Sequence, residues 1–366
     1  MSLQEGSKVV VVHIVESFGG GVFASVTQTC NKLVSLGIEV HLVYSERDET
    51  PQPLSAFIDS RIKLHCIMMT RNINPIKDMA AFLALLRFFK GTCVDVIHLH
   101  SSKAGVLGRA AAYVCGLKNN VFYSPRGLSF LQMNVSPAKR TLYRWLEWMA
   151  CRMGGTVIAC SKGEYDETVK WLKPKNVVLV ENAVDVGVVL PKQQSNSQVI
   201  QVGTVGRIGV QKDPEAFMHL VRDRHSPECE FVWVGGGDQV DAKKLESLNV
   251  RVTGWLVRKE ALEQLSLFDI YVQTSLWEGM PIAVIESMVA GIPAIVTDVV
   301  GNRDVIDHGE TGFIASNAED LKVYLDRLIK DSSLRKKMGD EARKRAISRF
   351  SLDRMIDELV SVYGIK

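Results

Sequence analysis

Two glutamates, Glu278 and Glu286, bracket seven residues of the segment SLWEGMPIAVIES, with Gly279 and Pro281 between them. Pro281 suits the first turn of a helix, where its missing N–H costs nothing. Glu278 then falls in the loop before that helix and Glu286 inside it. The free amides of residues 279–282, from Gly279 and Met280 to Ile282, would attract an anion at such an entrance, although Pro281 itself has none to offer. Carboxylates repel phosphate, so their partners are hydroxyls, which donate to carboxylates in charge-assisted bonds worth roughly 1.5–3 kcal/mol. A ligand with phosphate in its middle and hydroxylated rings at both ends fits this pattern, and a nucleotide sugar is such a ligand.

The cations that such a ligand requires stand in VGRIGVQKDP, where Arg207 and Lys212 share one loop with Gly209 and precede a helix start at Asp213-Pro214. Arginine binds a diphosphate through two parallel hydrogen bonds, and lysine adds a point charge. Three further loops have the same character. Gly19, Gly20 and Gly21 follow the first apolar run, and Gly236 lies in VGGGDQ. Glycines there let backbone approach a ligand closely. VTGW ends in Trp255, followed by Leu256, and offers either a face for a nucleobase or an aromatic for the core. None of these loops is GxGxxG or GxxxxGK[ST].

These loops need elements to carry them. Short β-branched runs (residues 8–15, 39–45, 95–100, 120–125, 156–161) alternate with helical patterns, and the alternation restarts after the polar segment PKQQSNSQ, 191–198. Alternation of this kind predicts βαβ units and parallel sheets, here two doubly wound α/β units in tandem, 1–193 and 198–348. Ligands of open α/β sheets bind beyond the carboxyl ends of the strands, where these loops fall.

Composition narrows the class. The chain has 366 residues, 46% hydrophobic and 23% charged, as an ordinary globular protein does. No apolar run reaches the ~18 residues of a membrane span, and the N-terminal apolar run reads as a strand rather than a signal segment. Seven scattered cysteines predict reduced thiols, and eight histidines dispersed along the sequence give no metal-ligand cluster. The net charge of +3 is divided unevenly. Residues 1–193 carry 22 Lys and Arg against 15 Asp and Glu, and the remainder 22 against 26. A basic first half suits an anionic partner or an anionic membrane surface, or is a solvated face.

The motifs, taken in order, resemble those of retaining GT-B glycosyltransferases of family 4, the group that includes bacterial lipopolysaccharide, capsule and teichoic-type sugar transferases. FGGGVFAS, HLHSSKAG, YSPRG, ACSKGE, ENAVD, VGRIGVQKDP, VGGGD, SLWEGMPIAVIES, GIPAIVTDVVGNRDVI and GETGFI carry the resemblance over nearly the whole chain. It implies two Rossmann-like domains facing across a cleft, an acceptor-binding first domain, a nucleotide-sugar-binding second domain, and a last helix, about 349–366, returning to the first. Arg207 and Lys212 would neutralise the diphosphate, Glu278 would hold the transferred sugar and Glu286 the ribose. Gly20 and Gly21 would approach the phosphate from the opposite domain. A UDP-sugar co-substrate is implied, with no metal and no other cofactor, and an acceptor that is a saccharide or a polyprenyl-diphosphate-linked sugar. No nucleic acid is implied as a partner.

One loop departs from the family pattern. Relatives with HSSKAG usually follow it with Pro-His-Gly, whose histidine reaches the reacting sugar, whereas here Arg126 stands in SPRG. Arginine cannot accept a proton at neutral pH but binds phosphate or an acidic acceptor. The acceptor-side candidates are therefore His100, Ser101, Lys103 and Arg126. Two alternatives stay open: an epimerase-like GT-B enzyme acting on UDP-N-acetylglucosamine without an acceptor, and a nucleotide-sugar-binding protein with impaired catalysis. Residues 136–155, with Leu142, Trp145, Leu146, Met149 and Met153 flanked by Lys139, Arg140, Arg144 and Arg152, form either a helix packed on its own sheet or one lying on an anionic bilayer. The expected location is the cytoplasm, with peripheral contact at the inner face of the plasma membrane.

Overall fold

A computed structural model describes residues 8–193, 199–222 and 229–365. Two compact units divide the chain: residues 1–131, 135–181 and 353–366 in one, residues 132–134 and 182–352 in the other. The GT-B fold is built from these two α/β Rossmann-like units.

In the first unit the strands are β1 (Val10–Val15), β2 (Glu39–Tyr44), β3 (Lys63–Cys66), β4 (Val96–His100), β5 (Val121–Ser124), β6 (Thr156–Ala159) and β7 (Asn176–Leu179). They pair in the order β3-β2-β1-β4-β5-β6-β7, and every pairing is parallel. Helices α1 (Gly20–Ser35), α2 (Pro75–Gly91), α3 (Ser102–Val114), α4 (Pro137–Arg152) and α5 (Lys162–Leu172) make the crossovers. The central strands are buried on both faces, which is why KVVVVHIV reads as an unbroken apolar run. β3 and β7 sit at the edges, are only partly buried, and lack that signal.

The second unit repeats the plan. Strands β8 (Ile200–Val205), β9 (Cys229–Val234), β10 (Arg251–Val252), β11 (Ile270–Gln273), β12 (Ala294–Thr297) and β13 (Gly312–Ala315) pair in the order β10-β9-β8-β11-β12-β13. Its helices are α6 (Pro214–Arg222), α7 (Gln239–Ser247), α8 (Arg258–Ser266), α9 (Ile282–Ala290), α10 (Asn302–Val305), α11 (Ala318–Lys330) and α12 (Ser332–Arg349). Phe217, Trp233, Ile270, Val272, Ile295 and Phe313 centre its core.

The last helix, α13 (Leu352–Tyr363), belongs with the first unit. Lys32 pairs with Asp353 at 2.6 Å, and Arg354 Nη2 donates to the Glu181 carbonyl at 2.8 Å. Of the expected linker, residues 194–198 lie outside the described residues. Residues 182–193 already belong with the second unit: Val184 N donates to the Phe350 carbonyl, Lys192 N to that of Ala290, and Gln193 N to that of Ser266.

In each sheet the strand order reverses beside the first strand, between β1 and β4 and again between β8 and β11. In each unit the loops that leave these two strands lie at that sheet's own carboxyl edge, where ligands of open α/β sheets bind. The glycine run after β1, the 101–103 segment after β4, the Arg207–Lys212 loop after β8 and the 274–281 loop after β11 all lie at these two points.

Candidate functional site

In the second unit the chain past β8 turns through Gly206 and Arg207, makes a short 3-10 turn at Val210–Lys212, and reaches α6 through Asp213 in the left-handed region. The turn delivers Lys212 to the opposite side of the switch point. Its Nζ lies 2.8 Å from Glu278 Oε1 and 3.1 Å from Gln273 Oε1, both carried by the β11 segment. Ser275 Oγ donates to the same Glu278 oxygen at 2.8 Å. Behind the pair, Gln273 Nε2 donates to the buried Asn302 at 3.2 Å, and Thr274 Oγ1 to the Lys212 carbonyl at 2.7 Å. Leu276 N donates to the Gln211 carbonyl at 2.9 Å, and Gln211 Nε2 to that of Trp277 at 3.1 Å. The cation loop and the acid loop are thus fastened together, while Arg207 on the former is exposed.

Glycine is required here by close packing of backbone. A Cβ on Gly235 would lie 2.2 Å from the Gly206 carbonyl oxygen, and one on Gly237 2.1 Å from that of Ile208. The second loop therefore packs its main chain on the first, joined by Ile208 N to the Gly236 carbonyl at 2.8 Å and Asp238 N to that of Ile208 at 3.0 Å. Trp255 lies against Gly236, where a Cβ would meet its ring at 2.7 Å. With 56% of its surface exposed, Trp255 is a flat apolar face beside the loop and not a core residue; Leu256 next to it is half-buried.

Pro281 is the residue capping α9 rather than its first helical residue, and Ile282 opens the helix. The first helical bond runs from Ile285 N to the Pro281 carbonyl, which keeps the amides ahead of it outside the helical ladder. Gly301 supports the entrance from below, since a Cβ there would meet the Gly279 carbonyl at 2.4 Å. Met280, by contrast, is buried. Glu286 is buried too, and its Oε1 lies 2.6 Å from Nη2 of Arg258, at the start of α8. Burial pushes its carboxyl up, and the Arg258 charge opposes that. Arg258 carries no signal in the sequence, because an arginine at an ordinary helix start meets Glu286 only where α8 and α9 pack together.

In the first unit Gly19 caps α1, with Gly20 at φ +51 and Gly21 following. Phe23 N makes the first helical bond, to the Gly19 carbonyl, so the three amides before it point out of the helix end. Across the switch point, Ser101 caps α3 and its Oγ is 3.4 Å from Glu16 Oε2. Lys103 does not stand free. Its Nζ pairs with Asp78 at 2.7 Å and reaches Thr70 Oγ1 at 3.2 Å, securing the start of α2.

The expectation of dispersed histidines is corrected. Parallel pairing sets His13 opposite His98, and the two-residue period of a strand puts His100 on the same face. His13, His98 and His100 are all buried, with ligating nitrogens within 4.8 Å of one another. Hydrogen bonds take up this cluster apart from His13 Nε2: His13 Nδ1 to His100 Nε2 at 2.9 Å, His98 Nδ1 to the Tyr363 hydroxyl at 2.6 Å, and His98 Nε2 to Ser124 Oγ at 2.9 Å. Arg126 Nε donates to His100 Nδ1 at 3.4 Å, and Arg126 Nη1 to Ser25 Oγ at 2.7 Å. Burial first, and then the neighbouring rings and the Arg126 charge, hold His98 and His100 well below the ordinary range, while burial and then Arg126 hold His13 down to about 3. A neutral cluster abutting a guanidinium is poorly suited to a further cation. His100 has no exposed surface with which to take a sugar or an acceptor, and Arg126 adopts φ +59 over it.

α4 carries features of both readings of its apolar residues: Tyr143 and Trp148 pack against the first unit's core, and other apolar side chains do not. Its buried residues are Glu147, Ala150 and Cys151, while Leu142, Trp145 and Met149 are exposed, Trp145 at 54%. Glu147 turns inward to accept from the Tyr123 hydroxyl at 2.7 Å. Among the described residues no helix is long and apolar enough to cross a membrane.

Comparison with known proteins places this geometry. The family model described as Glycosyltransferase Family 4 matches residues 19–188, and that described as Glycosyl transferases group 1 matches residues 189–345. The chain is 26% identical to the UDP-Gal:alpha-D-GlcNAc-diphosphoundecaprenol alpha-1,3-galactosyltransferase of Escherichia coli, an alignment covering 98% of this chain and 97% of the relative. It is 24% identical to the capsular polysaccharide biosynthesis glycosyltransferase CapM of Staphylococcus aureus, covering 89% and 90%. Among solved structures, sucrose-phosphate synthase from Thermosynechococcus elongatus superposes with a TM-score of 0.83 at 17% identity over 98% of both chains. Anabaena HepE, in complex with UDP and glucose, gives 0.80 at 15% over 97% of this chain and 99% of that one. With its two α/β units matched in tandem by these two models, the chain belongs to family 4 of the glycosyltransferases.

Proposed function

We propose that this enzyme moves a sugar, with retention of anomeric configuration, from a UDP-sugar to a lipid-linked or saccharide acceptor in the assembly of a bacterial surface polysaccharide. The observation that carries the reading is the Lys212–Glu278 pair at the β8/β11 switch point, with Arg207 on the same loop. A cation, a carboxylate and outward amides at one strand edge match the diphosphate, the hydroxyls and the sugar of such a donor. The relationship to an enzyme named for a UDP-galactose donor and a diphosphoundecaprenol-linked acceptor supports the choice of substrates.

In the reaction, the bond from the anomeric carbon to the diphosphate oxygen breaks as the acceptor oxygen bonds to the same face of that carbon. The acceptor's proton passes to the departing phosphate oxygen, so no base is required of the protein. Arg207 and Lys212 stabilise the charge growing on the diphosphate, usually the largest single contribution to catalysis. Glu278 accepts from a hydroxyl of the transferred sugar, Glu286 from the ribose, and Trp255 with Leu256 flanks the base. The first unit takes the acceptor, with Arg126 toward its anionic part. The nucleotide sugar is the sole co-substrate, no metal takes part, and α4 gives peripheral contact with the membrane.

The test is transfer from radiolabelled UDP-sugars to a synthetic GlcNAc-diphospho-lipid, followed in wild type and Lys212→Ala and repeated after EDTA treatment. Lys212→Ala is expected to lower kcat/KM by roughly 10²–10³, and EDTA to leave transfer unchanged. Full transfer by Lys212→Ala would refute the diphosphate assignment. A new sugar formed from donor alone would mark an epimerase, and a covalent glycosyl-enzyme would exclude the single-step route.

A further inference from the structure

The first unit holds a cavity that the donor chemistry does not use. About 360 Å³ of space lies between the 3-10 turn Ser129–Leu131, the first half of α4 and the second half of α5. That volume is at the lower end of small-molecule sites, roughly 300–1,000 Å³, and suits a headgroup rather than a whole lipid. Phe130, Leu131 and Pro137 form one part of the lining, and Arg140, Arg144 and Lys170 bring three cations to it. All of these residues belong to the first unit, whereas Arg207, Lys212 and Glu278 belong to the second.

The cations are placed for a ligand more than for the protein. Arg140 donates its Nε to the Phe130 carbonyl at 2.9 Å, which leaves the outer edge of its guanidinium for the cavity. The Arg144 guanidinium lies over the Trp171 ring, 4.7 Å from its centroid, and Lys170 Nζ lies 5.0 Å from the same centroid. The ring attracts each cation, but the two like charges repel one another. The one carboxylate of the lining, Glu167, accepts from Trp171 Nε1 at 2.7 Å and lies 3.8 Å from Lys170. Three cations therefore face a single acid. Pro137 opens the 16-residue α4, so the positive end of that helix adds to the same side. Arg140 and Arg144 stand one turn apart, and two guanidinium forks with a lysine suit the several oxygens of a phosphate. Beyond the cavity, Leu142, Trp145 and Met149 leave the outer face of α4 apolar and exposed. A free phosphate gains nothing from such a face, but a phosphate carried by an acyl chain does.

We propose that this cavity binds the phosphate of an anionic lipid headgroup, one lipid per protein, through Arg140, Arg144 and Lys170. The choice of a lipid as the carrier rests on the reading of α4 as a membrane contact. The inference goes beyond that reading, because a charged face attracts any anionic bilayer, whereas a cavity takes one headgroup at a fixed set of side chains.

Calorimetric titration of the full chain with dihexanoyl phosphatidic acid, kept below its micelle concentration, tests the site without a bilayer. Saturable binding of one lipid per protein is expected, with inorganic phosphate at least about 10-fold weaker because it covers none of the apolar lining. Arg140→Gln and Arg144→Gln are each expected to weaken the lipid by roughly 10- to 100-fold, as loss of a charge-assisted hydrogen bond gives. Lys170→Gln, at an exposed position, replaces an arginine variant that does not fold, and is expected to weaken the lipid at least about 5-fold. Lys139→Gln removes an exposed charge of the same helix outside the cavity, and is expected to stay within about 3-fold of wild type. Equal losses in Lys139→Gln and Arg144→Gln, inorganic phosphate binding as tightly as the lipid, or no saturable binding would each overturn the inference. Co-sedimentation with anionic vesicles separates the two readings: if it persists in any of those cases the membrane contact stands, and if it is absent both fall.

Discussion

At the residue scale, Glu278 and Glu286 have different surroundings despite their common motif. Glu278 meets a cation, Lys212, and a hydroxyl, Ser275, at a partly open loop. Glu286 is buried against Arg258 in the body of the second unit. Burial raises the Glu286 pKa above the ordinary carboxylate range, Arg258 opposing. The sign of two pH effects follows. In the free protein the folded state binds that proton more tightly than the unfolded chain, so this group's contribution to stability is lost as pH rises from the ordinary value through the raised one. Hydroxyl binding requires the carboxylate, so nucleotide affinity is full above the raised pKa and falls on acidification through it, before an ordinary glutamate would protonate. Calorimetric titration with UDP at successively lower pH should show this loss, and Glu286→Gln should flatten it. An affinity that follows pH identically in both proteins would contradict the assignment.

At the element scale, backbone packing between loops sets the site as much as side chains do. Gly237 sits at φ +152, with the Ile208 carbonyl where a Cβ would be. Gly237→Ala is expected to cost about 1–3 kcal/mol from the backbone conformation alone, with further loss from displacing the Arg207 loop. Urea denaturation and nucleotide binding would register the two effects separately, and a protein unaltered in both would refute this account of the loops. α4 makes the second case. Its apolar periodicity is that of a core helix, but Glu147, Ala150 and Cys151 take the inward face, leaving Leu142, Trp145 and Met149 outside beside Lys139, Arg140 and Arg144. A face of that kind suits an anionic bilayer. Wild type should co-sediment with vesicles containing anionic phospholipid, and Trp145→Asp should lower the bound fraction several-fold without changing the fold. Equal sedimentation of the two, or none by wild type, would exclude α4 as a membrane contact.

At the scale of the whole molecule, the chain closes on itself through α13. His98 in β4 bonds the Tyr363 hydroxyl across 265 positions of sequence, within one buried cluster. Tyr363→Phe leaves a buried imidazole nitrogen without its partner and is expected to cost about 1–3 kcal/mol, read as a lower urea midpoint. Stability equal to wild type would mean that the hydroxyl does not anchor the helix. The two sheets share one strand plan, and in each the reversal of order gathers two glycine- or polar-rich loops at one edge. Repetition of the plan gives the protein two such edges, one beside Glu16 and Ser101 and one beside Lys212 and Glu278.

The sequence by itself determined the alternation of elements, the parallel sheets and the loops on which chemistry must lie. Period, β-branched runs and glycine placement are local properties, and the central strands, buried on both faces, display them plainly. Edge strands β3 and β7 did not, because half-exposed strands carry no such run. Arg207, Lys212, Glu278 and Glu286 were legible as a set because cations beside Gly209 and acids on either side of Gly279 and Pro281 are spacings that suit phosphate and hydroxyls. Their pairing was not legible: Lys212 meets Glu278 across 66 residues, and Arg258 meets Glu286 only where α8 packs on α9. The three histidines looked scattered until the β1/β4 register stacked them. Contacts of this kind depend on strand register and helix packing, which the tertiary structure sets and the order of residues along the chain does not display.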